Sequence, residues 1–323
     1  MVDEASDGRV ARGAARLRRV MGPVGLWTFA LDAQPASLVR ETAAELDELG
    51  WGALWFGEGF GRDTVSQAWL LLSATRRLTV ASGIANVMLR DPIALAGAER
   101  ALGEAFPERY LLGLGGHRVE GAIHRSDDSP VPARGRPLAL MRGYLDAMDA
   151  VPAHGPVPLS PPPRLLAALG PRMLALAGER TLGAHPYFVP VEHTVRARAA
   201  LGAEAFLGVE QAVVLDRDRA RARELATAHV APYLAAPHHQ RNLRALGFTD
   251  TDLGTTPSRR LVDALVAQGD LEAVEERVRT QLAAGADHVC LQVLTPDPTA
   301  LPSAGWRDLA AALIPRHPAH ARG

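Results

Sequence analysis

Eight short apolar runs, each followed by a stretch with helical spacing, constrain this chain more than any other feature. The runs are "VGLWTFA" (24–30), "ALWFGE" (53–58), "LTVASGIAN" (78–86), "YLLGLGG" (110–116), "RLLAALG" (164–170), "AHPYFV" (184–189), "FLGVEQAVVL" (206–215) and "DHVCLQVL" (287–294). Strands that are apolar on both faces are covered on both sides, and a helix after each is the connection that parallel strands need. Between the first two runs, residues 35–50 place Val39, Ala43 and Leu46 on one helical face and stop at Gly50. After the third, Pro92 suits the first turn of a helix. The pattern predicts a single parallel (β/α)8 barrel, of TIM type, rather than two Rossmann-like halves. The stretch 217–284 is too long for one helix and predicts a helical insertion, at about 217–270, between strands seven and eight. The barrel is expected over 22–316, after a flexible N-terminal extension at 1–21 and before a tail at 317–323.

Composition narrows the function. With 35 basic and 36 acidic residues the formal net charge is −1, which gives no broad attraction to nucleic acid or anionic lipid. No run approaches the roughly 18 apolar residues of a membrane span. The first twenty residues are Arg-rich and lack the apolar core of a secretory signal. A small-molecule substrate is the expected partner. All the basic residues are Arg and none is Lys, which excludes a Schiff-base lysine and a Walker lysine together. The same bias, with little Asn, points to a GC-rich genome such as an actinobacterium's. Cys290 is alone, so no intrachain disulfide or cysteine metal cluster is available, in keeping with a reducing cytoplasm. His238-His239 lacks a ligand partner at i+4, and no metal site is predicted.

In a barrel the chemistry sits where strands end. The residues closing the runs are Phe29, Glu58, Asn86 with Arg90, His117, Gly170 to Met173, His185 with Tyr187, Glu210 with Gln211, and Gln292. The third run is unusual because it ends in Gly83-Ile84-Ala85-Asn86 with no ordinary turn pair; a glycine bulge in a plain strand accounts for this, as does a surface for a ligand. "ALGPRMLALAG" reads as an ordinary β–α turn or as a phosphate site. Gly170-Pro171 opens a helix whose free N–H groups and dipole favour an anion, and Arg172 adds a fork of donors. Glu58 is compatible with an acceptor, an acid, or a partner for Arg62 or Arg90. His117 titrates near neutrality and suits an acid or base as well as a hydrogen-bonded loop histidine. "GLGG" resembles half of a dinucleotide fingerprint but lacks its helix onset.

Six blocks in order, "LDELGWGALWFGEGFGRD", "LTVASGIANVMLRDPIALA", "AFPERYLLGLGGH", "RPLALMRGYLDAMD", "AALGPRMLALAGERTLGAHPYFV" and "QLAAGADHVCLQVL", resemble the luciferase-like superfamily. They are most similar to its actinobacterial branch of oxidoreductases that use the deazaflavin coenzyme F420. The resemblance covers about residues 22 to 295. It implies a non-prolyl cis peptide at the end of strand three, within Ser82-Gly83-Ile84, that backs the cofactor ring, with Asn86 beside it. It also implies that Gly170, Pro171, Arg172 and Met173 hold the cofactor phosphate, and that His185 and Tyr187 lie near the cofactor. Gly83 would remove a side chain from the path of the ring. Glu58 matches an acidic position near the ring, but relatives commonly place a His next, where this chain has Gly59. His117 is then the candidate replacement acid or base, with Glu58 retained as a catalytic candidate beside it. The implied function is cytoplasmic hydride transfer between F420 and a small organic substrate, by a homodimer. A reduced-FMN monooxygenase of the same fold is the first alternative, and a non-catalytic barrel that binds flavin or deazaflavin is the second.

Overall fold

The computed structural model describes residues 4–59, 61–116 and 137–315. Ten strands form one sheet, with β1 (Val24–Thr28), β2 (Ala53–Phe56), β3 (Thr79–Ser82), β4 (Ala85–Asn86), β5 (Tyr110–Gly115), β6 (Arg164–Leu166), β7 (Gly183–Ala184), β8 (Phe206–Leu215), β9 (Val266–Gly269) and β10 (His288–Val293). The order β10-β1-β2-β3-β5-β6-β7-β8 is parallel throughout, and pairing of β10 with β8 closes it into an eight-stranded barrel. All eight expected strands are present. Strand three is split into β3 and β4, with β4 turning from the β2–β3 ladder onto β5.

The helices are α1 (Glu4–Met21), α2 (Ala36–Glu48), α3 (Thr64–Ser73), α4 (Pro92–Ala105), α5 (Pro137–Asp149), α6 (Pro171–Arg180), α7 (Val191–Leu201), α8 (Arg219–Tyr233), α9 (Pro237–Ala245), α10 (Arg259–Leu265), α11 (Leu271–Ala283) and α12 (Ser303–Leu313). Several starts follow from local chemistry. Asp63, Asp91, Asp218 and Asp270 accept backbone N–H groups as N-caps, and Pro92 occupies the first turn of α4. Alternation along the strands divides the apolar residues into two cores. Trp27, Trp55, Ala81, Leu111, Leu165, Phe206 and Cys290 fill the barrel, whereas Leu26, Leu54, Val80, Leu112, Leu166 and Leu291 face the helices.

The amino-terminal stretch corrects an expectation. Instead of a flexible extension, residues 4–21 form α1, and Ala14, Leu17 and Met21 join the core inside the barrel. Arg18 ties the helix down, donating to Asp287 Oδ1 at 2.7 Å and to carbonyls of residues 203–205. The insertion after β8 consists of α8, α9 and α10, followed by an unanticipated strand, β9, that pairs with the end of β8. It has its own apolar cluster, which meets the barrel core at Tyr187. Among the described residues, no helix is long and apolar enough to cross a membrane.

Candidate active site

The exit of strand three is shaped by three glycines. Ser82 is bracketed by β5, its Oγ donating to the Gly113 carbonyl and accepting the Gly113 N–H, both at 3.0 Å. The Gly83–Ile84 peptide is cis. From Leu78 to Val87, only Gly83 and Ile84 are not buried, so the bulge is what this strand presents at its carboxyl end. A Cβ on Gly113 would lie 2.0 Å from the Ser82 carbonyl oxygen, and one on Gly115 would lie 2.6 Å from Ile84 Cγ1. The "GLG" of β5 therefore serves the bulge and no dinucleotide. Gly83 also has a different reason from the expected one. Its Cβ position lies 2.5 Å from Trp27 Nε1 and 3.0 Å from His185 Nε2, so the protein's own side chains fill the space.

A prediction follows from these contacts. Gly113→Ala pushes a methyl into a backbone oxygen that cannot step aside, and is expected to cost about 3 kcal/mol, at the upper end for overpacking. Gly170→Ala, where the added Cβ meets nothing within 4 Å, is expected to stay within about 0.5 kcal/mol of wild type. Urea denaturation of the two variants checks both values.

Glu58 is the centre of an ionic knot. Its Oε1 accepts the Thr64 N–H at 3.1 Å and its Oε2 the Asn86 N–H at 2.7 Å. The Arg90 guanidinium spans both oxygens, with Nη1 donating to Oε2 at 2.7 Å and Nη2 to Oε1. Arg90 Nη2 also reaches Asp63 Oδ2 at 2.6 Å. Each oxygen of Glu58 thus takes two N–H donors. Of the roles left open for it, acceptor and partner of Arg90 are the ones realised, while Arg62 turns away to the carbonyls of Leu31 and Gln34. The knot ties the exits of β2 and β4 to the start of α3. Asn86 is itself buried, and its Oδ1 accepts the Met88 N–H at 3.0 Å.

At the exit of β6, Gly170, Pro171 and Arg172 are exposed and Met173 is half-buried against the core. No side chain caps α6. Arg172 makes no hydrogen bond or ion pair among the described residues. An open helix start with an exposed cation beside it is a place where an anion is stabilised.

His185 lies below the mouth, fully buried and stacked on Trp55 with ring centroids 4.3 Å apart. Its Nδ1 donates to the Gly208 carbonyl at 2.9 Å, which leaves Nε2 as a lone pair without a partner. Burial pushes its pKa down to about 4, so the ring is neutral at pH 7. Trp27 Nε1 is likewise buried and unpartnered. Tyr187, two residues on, is half-buried, with its ring 5.0 Å from Trp27. Its hydroxyl meets Tyr233 Oη at 2.6 Å and donates to Gln292 Oε1 at 2.9 Å.

His117 lies outside the described residues. Three groups at this end of the barrel were given no role from sequence, namely Glu210, Tyr233 and Gln292. Glu210 is buried, with Oε2 accepting the Phe188 N–H at 3.1 Å and Oε1 without a partner. Its signal was an acid inside a ten-residue apolar run, whereas Tyr233 arrives from the insertion and carried none. A separate cleft of about 390 Å³ opens at the ends of β8 and β9 beside Asp216, Asp270, Glu272 and Asp308. None of the candidate site residues lines it, and its four carboxylates outnumber its one cation, Arg217.

The sequence model for luciferase-like monooxygenases matches residues 21–288. The chain belongs to this family. Among its relatives is a Mycobacterium tuberculosis protein whose name proposes a coenzyme F420-dependent oxidoreductase, 29% identical over 186 residues, or 56% of this chain and 48% of that one. The chain thus spans about half the length of that curated relative. The luciferase-like barrel also superposes on an F420-dependent secondary alcohol dehydrogenase in complex with an F420–acetone adduct. There the TM-score is 0.66 at 15% identity, covering 90% of this chain and 98% of the other. It matches equally the oxygenating constituent of 3,6-diketocamphane monooxygenase from Pseudomonas putida, a Baeyer-Villiger enzyme in complex with FMN. In that case the TM-score is 0.66 at 16% identity, covering 89% and 95% of the two chains. At these identities the two structures share the fold with this luciferase-like chain.

Proposed function

We propose that this chain is a coenzyme F420-dependent oxidoreductase that moves a hydride between the deazaflavin and a small organic substrate. The observation that carries the reading is the presence of two complementary surfaces at the carboxyl end of the barrel. The accessible Gly83–Ile84 bulge is suited to back a flat ring. The uncapped start of α6, with Arg172 unpaired among the described residues beside it, is suited to a phosphate. Gly170, Arg172 and Met173 would hold that phosphate, while Ser82, Asn86 and the Glu58–Arg90 knot hold the bulge in shape from behind. Tyr187 would flank the ring. His185, enclosed beneath, supports the floor through Trp55. When bound, the cofactor supplies a carbon centre for two-electron hydride chemistry, and the protein contributes position and a shaped, dry site.

The relative named for F420 supports deazaflavin over FMN. The same two surfaces suit FMN, and the P. putida barrel that holds it favours a reduced-FMN monooxygenase as the second reading. Assays of the purified protein separate them. The first reading expects substrate-dependent change in F420 absorbance under argon, and oxygen uptake with reduced FMN and substrate would replace it by the second. Arg172→Ala is expected to weaken cofactor binding by about 1.5–3 kcal/mol, as for a charge-assisted hydrogen bond, with the fold unchanged. Isothermal titration checks this, and an unaltered affinity would mean that backbone N–H groups alone hold the phosphate. A homodimer and a cytoplasmic setting belong to the same reading, and sedimentation equilibrium tests the first.

A further inference from the structure

Two costly features meet at the turn after β7. Phe188 is a bulky residue with φ of 58°, in the left-handed region that normally goes to glycine. Glu210 is a buried carboxyl with one oxygen unpartnered and no arginine bonded to it. They are joined directly, because Glu210 Oε2 accepts the Phe188 N–H at 3.1 Å, while the Glu210 N–H donates to the Pro186 carbonyl at 3.2 Å. Phe188 is also stacked on Tyr233, with centroids 4.7 Å apart. The residue enclosed by these contacts is Tyr187.

Counting protons at Tyr187 defines what it can still bind. Its single hydrogen goes to Gln292 Oε1, so the short contact with Tyr233 is donated by Tyr233. One lone pair of Tyr187 Oη remains. The Gln292 amide, oriented through its oxygen, keeps an –NH2 group with no partner among the described residues. An acceptor and a donor therefore sit side by side, which is the complement of one hydroxyl group. Among the described residues the surroundings are aromatic and uncharged. Trp27 lies 4.5 Å from Phe29 and 5.0 Å from Tyr187 between centroids. Burial raises the Glu210 pKa to about 8 and lowers that of nearby His229 to about 4, so both are neutral at pH 7.

We propose that Tyr187 and Gln292 bind the hydroxyl of a neutral alcohol substrate, and that Glu210 is a positioning residue that sets Tyr187 through the Phe188 turn. The alcohol O–H donates to Tyr187, and the Gln292 amide donates to the alcohol oxygen. A carboxylate is rejected because no cation among the described residues awaits it. The inference deepens the oxidoreductase reading and rests on it for the reaction, though not for the binding.

Three probes test it by saturation-transfer NMR titration: cyclohexanol, its methyl ether, and cyclohexanecarboxylate. Wild type is expected to bind cyclohexanol more tightly than the ether and to leave the carboxylate unbound. Tyr187→Phe should weaken cyclohexanol about 5- to 10-fold, the effect of one neutral hydrogen bond, and abolish the preference over the ether. Glu210→Ala should do the same at a distance, whereas Glu210→Gln, which keeps an acceptor for Phe188, should retain wild-type affinity. Amide exchange of Phe188 in the cofactor-free protein gives an independent readout, slow in wild type and Glu210→Gln and fast in Glu210→Ala. Unchanged binding by Tyr187→Phe, carboxylate binding equal to that of the alcohol, or no binding of cyclohexanol overturns the site. Glu210→Gln behaving like Glu210→Ala overturns the positioning role. If all the binding results hold and the protein takes up no F420, the site stands and the oxidoreductase reading falls.

Discussion

Arg90→Met is expected to destabilise the fold by about 3–5 kcal/mol, the usual cost of leaving one member of a buried ion pair without its partner. The Glu58 side chain is only 3% exposed, and its two remaining donors are backbone N–H groups. A lone carboxylate there has no solvent to compensate it. Glu58→Gln in the Arg90→Met background removes the stranded charge and should recover a large part of the loss. A double-mutant cycle by urea denaturation tests this directly. Additive single effects would show that the knot contributes no coupling and that the bulge is shaped by the glycine contacts alone.

The second large effect concerns Glu210 and has the opposite sign. Burial raises its pKa from the model-compound 4.5 to about 8. Between those values the folded state holds a proton that the unfolded state releases, so stability falls as pH rises through this window. At 1.36 kcal/mol per pH unit the loss approaches about 4–5 kcal/mol by pH 8. Glu210→Gln carries no such proton, and its stability relative to wild type should grow steadily from pH 4.5 to 8 and level off above. The neighbouring Tyr187, Tyr233 and Cys290 are all held neutral across the window by burial and add no slope. Unfolding free energies of both proteins at pH 5 and pH 8 measure the change. A difference that is the same at both values would mean that the carboxyl is ionised in the folded protein. A natural chain that retains so expensive a group at the barrel mouth fits the use proposed for it.

The barrel was legible because its strands are apolar on both faces and each has a helix behind it. A slip in any single run would not have disturbed that alternation. The α1 plug was hidden although its apolar stripe, Ala14, Leu17 and Met21, was present at helical spacing, because the intervening arginines made the stretch look solvated. Strand β9 was missed since "VAQG" is too short to stand out from the helix before it. At the site, local signals were read well and long-range ones poorly. The bulge at Gly83 and the open turn at Gly170 are visible in adjacent residues. The occupation of the Gly83 position by Trp27, the engagement of Glu58 by Arg90 rather than Arg62, and the contact of Tyr233 with Tyr187 depend on pairs 32 to 56 residues apart. No periodicity encodes such pairings. The Gly113 and Gly115 spacing fits no nucleotide motif, and its actual cause stays hidden for the same reason, since it is the Ser82–Ile84 bulge on another strand.

Equilibrium titration of the purified chain with coenzyme F420 and with FMN, followed by the quenching of intrinsic tryptophan fluorescence, tests the central claim most directly. The account predicts tighter binding of F420 than of FMN, with both weakened in Arg172→Ala because they share the phosphate site at the start of α6. FMN binding equal to or tighter than F420 binding, together with substrate-dependent oxygen consumption, would contradict it.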